Sequence, residues 1–270
     1  MKKNDTWQKY DSVAEAYARV VTPHYFANPA KDLVLMMRLS RGARVLDIGT
    51  GGGAVAAAAL ETVGSEGVVV GIDISAHMLA EAGKNGQLRL VAGAALHLPH
   101  PDEVFDGVAA GFILNHIADC DHASREMARV GKCRARIGMS SWAKSSTDED
   151  LRKVWQEVAE NFVGRDDLSQ AVKEALPSAD KFTKVDGLET VLRNSGLRQI
   201  IVSQVDYPIR IEITDYVAAK ALGMSARFIQ SLLSVDQWQQ FIDEVSERLC
   251  KNFGNLLEFT TRANLAVGIK

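Results

Sequence analysis

Two carboxylates and a glycine run carry most of the chemistry legible in this sequence. The segment Val45–Gly53 reads V-L-D-I-G-T-G-G-G, a short apolar run that meets Asp47 and then passes into a glycine loop. Ala54–Val63 comes next with helical character and stops at Gly64. A strand, a glycine turn and a helix in that order form a cradle of nucleotide size. The glycines let backbone approach a ligand where a side chain would block it. The helix start adds unpaired N–H groups and the positive end of a dipole. Asp73 ends the next apolar, β-branched run, Val68–Ile72, at the distance from the glycine loop where a carboxylate can accept both hydroxyls of a ribose. Ile74 and Met78 come after it as apolar surfaces able to sandwich an adenine.

Asp47 separates the two cofactor classes that use such a loop. Gly49, Gly51 and Ala54 satisfy the dinucleotide pattern G-x-G-x-x-G/A. A carboxylate at the strand end would repel a pyrophosphate, however, and attract an ammonium. S-adenosylmethionine (SAM) carries an ammonium, a carboxylate and a sulfonium and no phosphate. The spacing of Asp47, Gly49, Gly51 and Gly53 resembles the first motif of class I SAM-dependent methyltransferases. The run Leu90–Asp106 resembles the third and fourth motifs of small-molecule methyltransferases, and Phe112–His116 (F-I-L-N-H) matches a place where the family often has an apolar-His pair. Ser140-Ser141-Trp142 and the upstream Tyr10–Tyr17 element also fit. The resemblance covers residues 7–142 well and 185–206 and 259–269 loosely, and points to the ubiquinone/menaquinone-biosynthesis-type branch, which includes many tailoring enzymes of natural-product pathways.

That resemblance implies SAM as cofactor, bound at the C-terminal ends of strands one to four. Asp47 would hold the ammonium, the loop Gly49-Thr50-Gly51 the methionine part, and Asp73 the ribose. Tyr10, Ile74, Met78, Gly93, Ala94, Ala95 and Phe112 would complete the cofactor site. One departure stands out: family members usually place an acid directly after the glycine corresponding to Gly93, and here Ala94 and Ala95 occupy those positions. One hydrogen bond to the adenine amino group is lost, worth about 0.5–1.5 kcal/mol, or about tenfold in affinity. The Ala95 N–H could still serve the ring.

Methyl transfer asks mainly for placement in a dry pocket, and for a base only if a proton must leave early. His116 is the first candidate for such a base, although a pocket-lining histidine with no proton transfer is the reading preferred. Tyr17, His24 and Trp142 are candidates for the acceptor side, His24 as part of a lid element Thr22–Phe26. His97, His100 and His122 read as solvated residues. No acceptor atom is written in these motifs, and oxygen, nitrogen and carbon all stay open.

The elements that must position these groups alternate regularly. Strands at Arg44–Ile48, Val68–Ile72, Leu88–Val91, Val104–Phe112 and Arg136–Ser140 are separated by helices at Ala54–Val63, Ala76–Lys84 (capped by Ser75) and His122–Val130. This rhythm predicts a doubly wound, Rossmann-like α/β fold with a mostly parallel sheet. Helices are also expected over Asp5–Tyr17 and Ala30–Leu39. After Trp142 the rhythm breaks. Helices are expected at Leu151–Phe162 (with Ser146 or Thr147 as cap), Asp167–Leu176 and Asp186–Asn194, then a strand Gln199–Val205. Helices at Thr214–Ala221, Ala226–Leu233 and Val235–Asn252 and an antiparallel last strand, Phe259–Ile269, complete the chain. The organisation expected is an N-terminal helical lid element (1–40), a SAM-binding core (41–142), a helical insertion (143–184), a core helix and strand (185–206), a helical substrate cap (207–258) and the last core strand (259–270).

The bulk composition is consistent with this. The chain has 270 residues, 47% hydrophobic and 24% charged, which suits one large α/β domain with insertions. A net charge of −3 gives no reason to expect nucleic acid or a membrane surface as partner. No apolar run is long enough to span a bilayer, and Met1–Asp11 lacks the apolar core of a signal peptide. Cys120, Cys133 and Cys250 lie far apart and suggest neither a metal site nor disulfides, so a cytoplasmic protein with reduced thiols is expected. A small-molecule substrate is expected, and lids of this kind often pack on a second subunit, so a homodimer stays open. Two rival functions share the motifs: a SAM-binding protein with a cyclase, rearrangement or regulatory role, and an NAD-dependent oxidoreductase. Asp47 argues against the latter. A nucleic-acid methyltransferase would need a basic or aromatic face or an N-P-P-Y-like element, and neither is present.

Overall fold

The structure is a computed structural model that describes residues 9–84, 86–144 and 147–270. The chain enters through a turn of 3-10 helix (Asp11–Val13), the short α1 (Ala14–Ala16), a π-helix (Tyr17–Phe26) and α2 (Ala27–Met37). The expected single helix over Asp5–Tyr17 falls partly on residues outside those described. The Tyr17–Phe26 segment is wider than an α-helix because Pro23 sits inside it. Proline offers no N–H and its ring clashes with the carbonyl four residues back, and widening the turn relieves both.

The core then runs β1 (Arg44–Ile48), α3 (Ala54–Val63), β2 (Val68–Asp73), α4 (Ala76–Gly83), β3 (Arg89–Ala92), β4 (Phe105–Gly111), α5 (Cys120–Val130) and β5 (Gly131–Trp142). β1 and α3 have the bounds expected, and Ser75 caps α4 by accepting the Met78 N–H at 3.1 Å. α5 starts two residues before the expected His122, because the Asp119 side chain accepts the His122 N–H at 2.9 Å and so caps the helix.

Next come α6 (Glu149–Phe162), α7 (Arg165–Ala175), the short α8 (Ala179–Phe182) and α9 (Val185–Asn194). They lead into β6 (Arg198–Glu212), α10 (Ile213–Ala221), α11 (Met224–Leu232), α12 (Val235–Phe253) and β7 (Leu256–Ile269). Thr147 does not cap α6. Its hydroxyl donates to the Thr260 carbonyl and accepts the Thr260 N–H, at 2.8 and 2.7 Å, and so ties the loop to β7. The other expected cap, Ser146, lies outside the described residues.

The seven strands form one sheet in the order β3-β2-β1-β4-β5-β7-β6. β1 to β5 are parallel, and β7 runs antiparallel between β5 and β6. β6 is twice the length expected. It continues through Pro208, which pairs with Thr260, and is tolerated because β6 is the sheet edge. The continuation Tyr207–Glu212 against Leu256–Thr261 leaves the parallel sheet as a two-stranded ribbon. Ile209, Ile211, Leu257 and Phe259 of this ribbon join a buried apolar cluster with α6, α10, α11 and α12. The ribbon and these four helices therefore share a core apart from those of the parallel sheet. Two further clusters fill the faces of the sheet, one under α5 and α9 and one under α2 and α3.

Candidate active site

The C-terminal ends of β1, β2 and β4 open into a cavity of about 250 Å³. Asp47, Gly49, Thr50 and Gly51 line it after β1, Asp73, Ile74 and Met78 after β2, and Phe112 and His116 after β4; Tyr10 and Tyr17 close it from the N-terminal segment. Eleven of the residues singled out from sequence thus meet in one place.

Asp47 is 1% exposed. Its Oδ2 accepts the Thr50 hydroxyl at 2.7 Å and the Ala56 N–H at 3.0 Å. Burial raises its pKa to about 7; those two bonds oppose the rise and the charge of Asp73 adds to it. Asp73 is held by backbone donors. Gly51 N–H donates to Oδ2 and Ser75 N–H to Oδ1, both at 2.9 Å. Its pKa is also raised, chiefly by burial. A carboxylate has about four acceptor sites, so two bonds leave capacity for hydroxyls on the cavity side. Beside it Ile74 is 83% exposed, an apolar surface without protein cover, while Met78 is buried.

The loop geometry requires glycine. Gly49 has φ +65°, and a Cβ there would stand 2.0 Å from Ile113 Cδ1. Gly49→Ala is expected to cost about 1–3 kcal/mol of stability and to weaken S-adenosylhomocysteine (SAH) binding by about tenfold or more. Thermal unfolding and calorimetry with SAH would check both.

His116 lies after β4 on a 3-10 turn (Leu114–His116). Burial pushes its pKa down to about 4, and the positive charge of Arg227 pushes the same way. Tyr10 meets it edge-on with ring centroids 5.9 Å apart, and Tyr10 meets Tyr17 similarly at 5.5 Å. Burial raises the Tyr10 phenol to about 12 and Tyr17 well above its ordinary value. At neutral pH the imidazole is therefore neutral and both phenols keep their protons.

Other expected residues lie outside the cavity lining. Gly93 donates its N–H to the Asp73 carbonyl at 3.0 Å, and Ala94 is bridged to His97, with Ala95 beside it. His24 is exposed on the π-helix with Nδ1 2.8 Å from the Val20 carbonyl. Trp142 stands behind Phe112, with ring centroids 4.3 Å apart. Thr22 and Phe26 of the expected lid element and Ile113 of the F-I-L-N-H run also line the cavity, and Val55 on α3 lines it with no sequence signal beyond being apolar.

Among the described residues no Lys or Arg lines this cavity. Two carboxylates with raised pKa values and no cation favour a ligand that brings positive charge and hydroxyls, and they disfavour a pyrophosphate. The comparisons agree. Residues 46–137 match the family model described as a methyltransferase domain. The demethylmenaquinone methyltransferase of Geobacillus kaustophilus is 30% identical over 207 residues, 64% of this chain and 88% of that protein. The chain belongs to the class I SAM-dependent methyltransferases.

Solved structures show the same fold. Phosphoethanolamine N-methyltransferase 2 of Haemonchus contortus, in complex with SAH, superposes with a TM-score of 0.58 at 16% identity, over 98% of this chain and 59% of that one. The [4+2]-cyclase SpnF superposes with a TM-score of 0.56 at 16% identity, over 97% and 95%. As a methyltransferase this protein uses SAM to methylate a small molecule. Among the described residues no helix is long and apolar enough to cross a membrane, and no cluster of side chains is arranged to hold a metal.

Proposed function

We propose that the cavity between β1, β2 and β4 is the SAM site and that the helical cap on the β6–β7 ribbon selects the acceptor. The observation that carries the reading is the acid-only lining with Asp47 and Asp73 at two strand ends. When bound, SAM supplies an electrophilic methyl group. Asp47 faces its ammonium, the glycine loop its amino-acid backbone, and Asp73 its ribose hydroxyls. Ile74 and Met78 cover the adenine on one side. The segment 93–95 approaches from the other with backbone groups alone, since Ala94 offers no carboxylate. Tyr10, Tyr17 and Phe112 exclude water from the reacting end.

His116 acts as a neutral wall or hydrogen-bonding group and not as a strong base, because an imidazole with a pKa near 4 holds a proton weakly at neutral pH. His116→Asn is accordingly expected to retain turnover within about tenfold. A loss of about 10²–10⁴, the range typical for removing a general base, would reverse this assignment. Trp142 and His24 shape the acceptor side from behind the lining. The name of the Geobacillus kaustophilus relative supports a quinone-like ring as the acceptor class, and the breadth of this branch keeps natural-product intermediates beside it. A cytoplasmic location, the absence of nucleic-acid partners and a homodimer joined through the cap belong to the same reading.

The test is calorimetric titration with SAH and, separately, with NADH, then detection of SAH release from SAM in the presence of quinol acceptors. Binding of SAH alone with acceptor-dependent SAH release supports the proposal. Binding of NADH, or acceptor conversion with no SAH released, would replace it with the oxidoreductase or the cyclase reading.

A further inference from the structure

The loop between α2 and β1 and the start of β5 meet in a second groove, of about 430 Å³. It lies at the N-terminal ends of β1, β4 and β5, so β1 and β4 run from this groove to the Asp47–Asp73 cavity at their other ends. Arg38, Arg41, Lys132, Arg134 and Arg136 line it against a single carboxylate, Asp106. That carboxylate is already engaged. Its Oδ1 accepts from Lys132 Nζ at 2.7 Å and its Oδ2 from the Arg44 N–H at 2.8 Å. Among the described residues none of the four arginines is paired with an acid. Elsewhere Arg129, Arg165, Arg193, Arg210, Arg248 and Arg262 each have one. The whole chain carries a net charge of −3, so this excess of cations is local.

The walls are held in place by backbone. Arg38 and Arg134 take left-handed conformations, φ +49° and +68°, where a glycine would sit more easily. The Arg134 N–H donates to the Lys270 carbonyl, and the Lys270 N–H to the Ala135 carbonyl, both at 3.1 Å. Like charges gathered in a concave site repel one another, and a bound anion relieves that repulsion. A guanidinium fork matches two oxygens of a phosphate, and the Ser40 hydroxyl stands in the same lining. One carboxylate would neutralise one of four arginines, whereas a chain of phosphates brings several charges in a compact span.

We propose that this groove binds a small phosphate-rich molecule, a di- or triphosphate ester, at the opposite end of the sheet from the Asp47–Asp73 cavity. The proposal is independent of what that cavity binds. The lining contains no aromatic ring on which the bases of a single-stranded nucleic acid could stack. A membrane surface is flat and would meet only the rim of a concave site. The volume falls in the range of small-ligand sites.

The probe is inorganic triphosphate, titrated calorimetrically into the SAH-saturated protein at about physiological ionic strength, where loose surface attraction is screened. A dissociation constant on the order of 10–100 μM is expected, with sulfate at least about tenfold weaker. Arg38→Gln/Arg134→Gln should weaken triphosphate at least about tenfold and leave the SAH dissociation constant within about threefold. A second readout needs no variant. Cys133 lines the groove and is exposed, and Cys250 is exposed elsewhere. Triphosphate should slow alkylation of Cys133 and leave that of Cys250 unchanged. No triphosphate binding, equal binding of sulfate, full affinity in the double variant, or equal protection of the two thiols would overturn the proposal. Displacement of SAH by triphosphate would do the same, because it would place the anion in the other cavity. Tighter binding of a short polyuridine RNA or of phosphatidylglycerol vesicles through the same arginines would replace the small ligand with that partner.

Discussion

Replacing Asp73 with alanine is expected to weaken SAH binding about a hundredfold. The carboxylate is fixed before any ligand arrives, because the Gly51 and Ser75 N–H groups each hold one oxygen at 2.9 Å. A ribose diol placed against it would gain two hydrogen bonds to an ionised acceptor. Such bonds contribute about 1.5–3 kcal/mol each, and every 1.4 kcal/mol is tenfold in affinity. Two of them at the lower bound give about a hundredfold. The substitution also frees the Gly51 N–H, so the glycine loop loses an anchor as well. Asp73→Asn separates the two effects: it keeps one acceptor oxygen but turns an NH2 group toward a backbone donor, and should fall between the parent and the alanine variant. Calorimetry with SAH checks the order, and an unchanged dissociation constant in Asp73→Ala would remove Asp73 from the site.

The parts of the molecule that sequence makes legible are those where local chemistry and tertiary structure ask for the same residue. Gly49, Asp73 and Ser75 are each dictated by a turn, a strand end or a cap, and the structure uses them there. β1 and α3 are bounded on both sides by such residues, so their limits coincide with the expected ones. β6 is different. Pro208 argues against a strand locally, and only the edge position, a fact of topology, permits it. The widened helix at Tyr17–Phe26 has the same character, since nothing in its apolar periodicity announces extra width. Phe26 lines the cavity, and Arg227 packs against the Tyr10 ring from a segment far away in the chain. An arginine on an amphipathic helix reads as solvated until the neighbouring segment is seen to bury it.

Cofactor affinity should also depend on pH in a way that Asp47 sets. Burial raises this carboxyl to about 7 in the ligand-free protein, above its ordinary value of 3.8. A ligand ammonium is attracted to the ionised form only. Below about pH 7 binding must therefore first remove a proton, and affinity falls by up to tenfold per pH unit. From pH 7 to pH 5 the SAH dissociation constant is expected to rise by up to about a hundredfold, with proton release measurable as a buffer-dependent heat. Stability of the free protein should run the opposite way. A group whose folded pKa is raised binds its proton more tightly in the native state. The stabilising contribution is present in full below about pH 4 and is lost as pH rises toward 7. The Tm contribution of Asp47 should thus decline over that interval and recover when SAH is added at pH 7. Asp47→Asn cannot ionise, so it should bind SAH weakly at every pH, with no slope from this site, and should lack the decline in stability. A slope that persists unchanged in Asp47→Asn would assign the titration to another group and leave the ammonium without its partner.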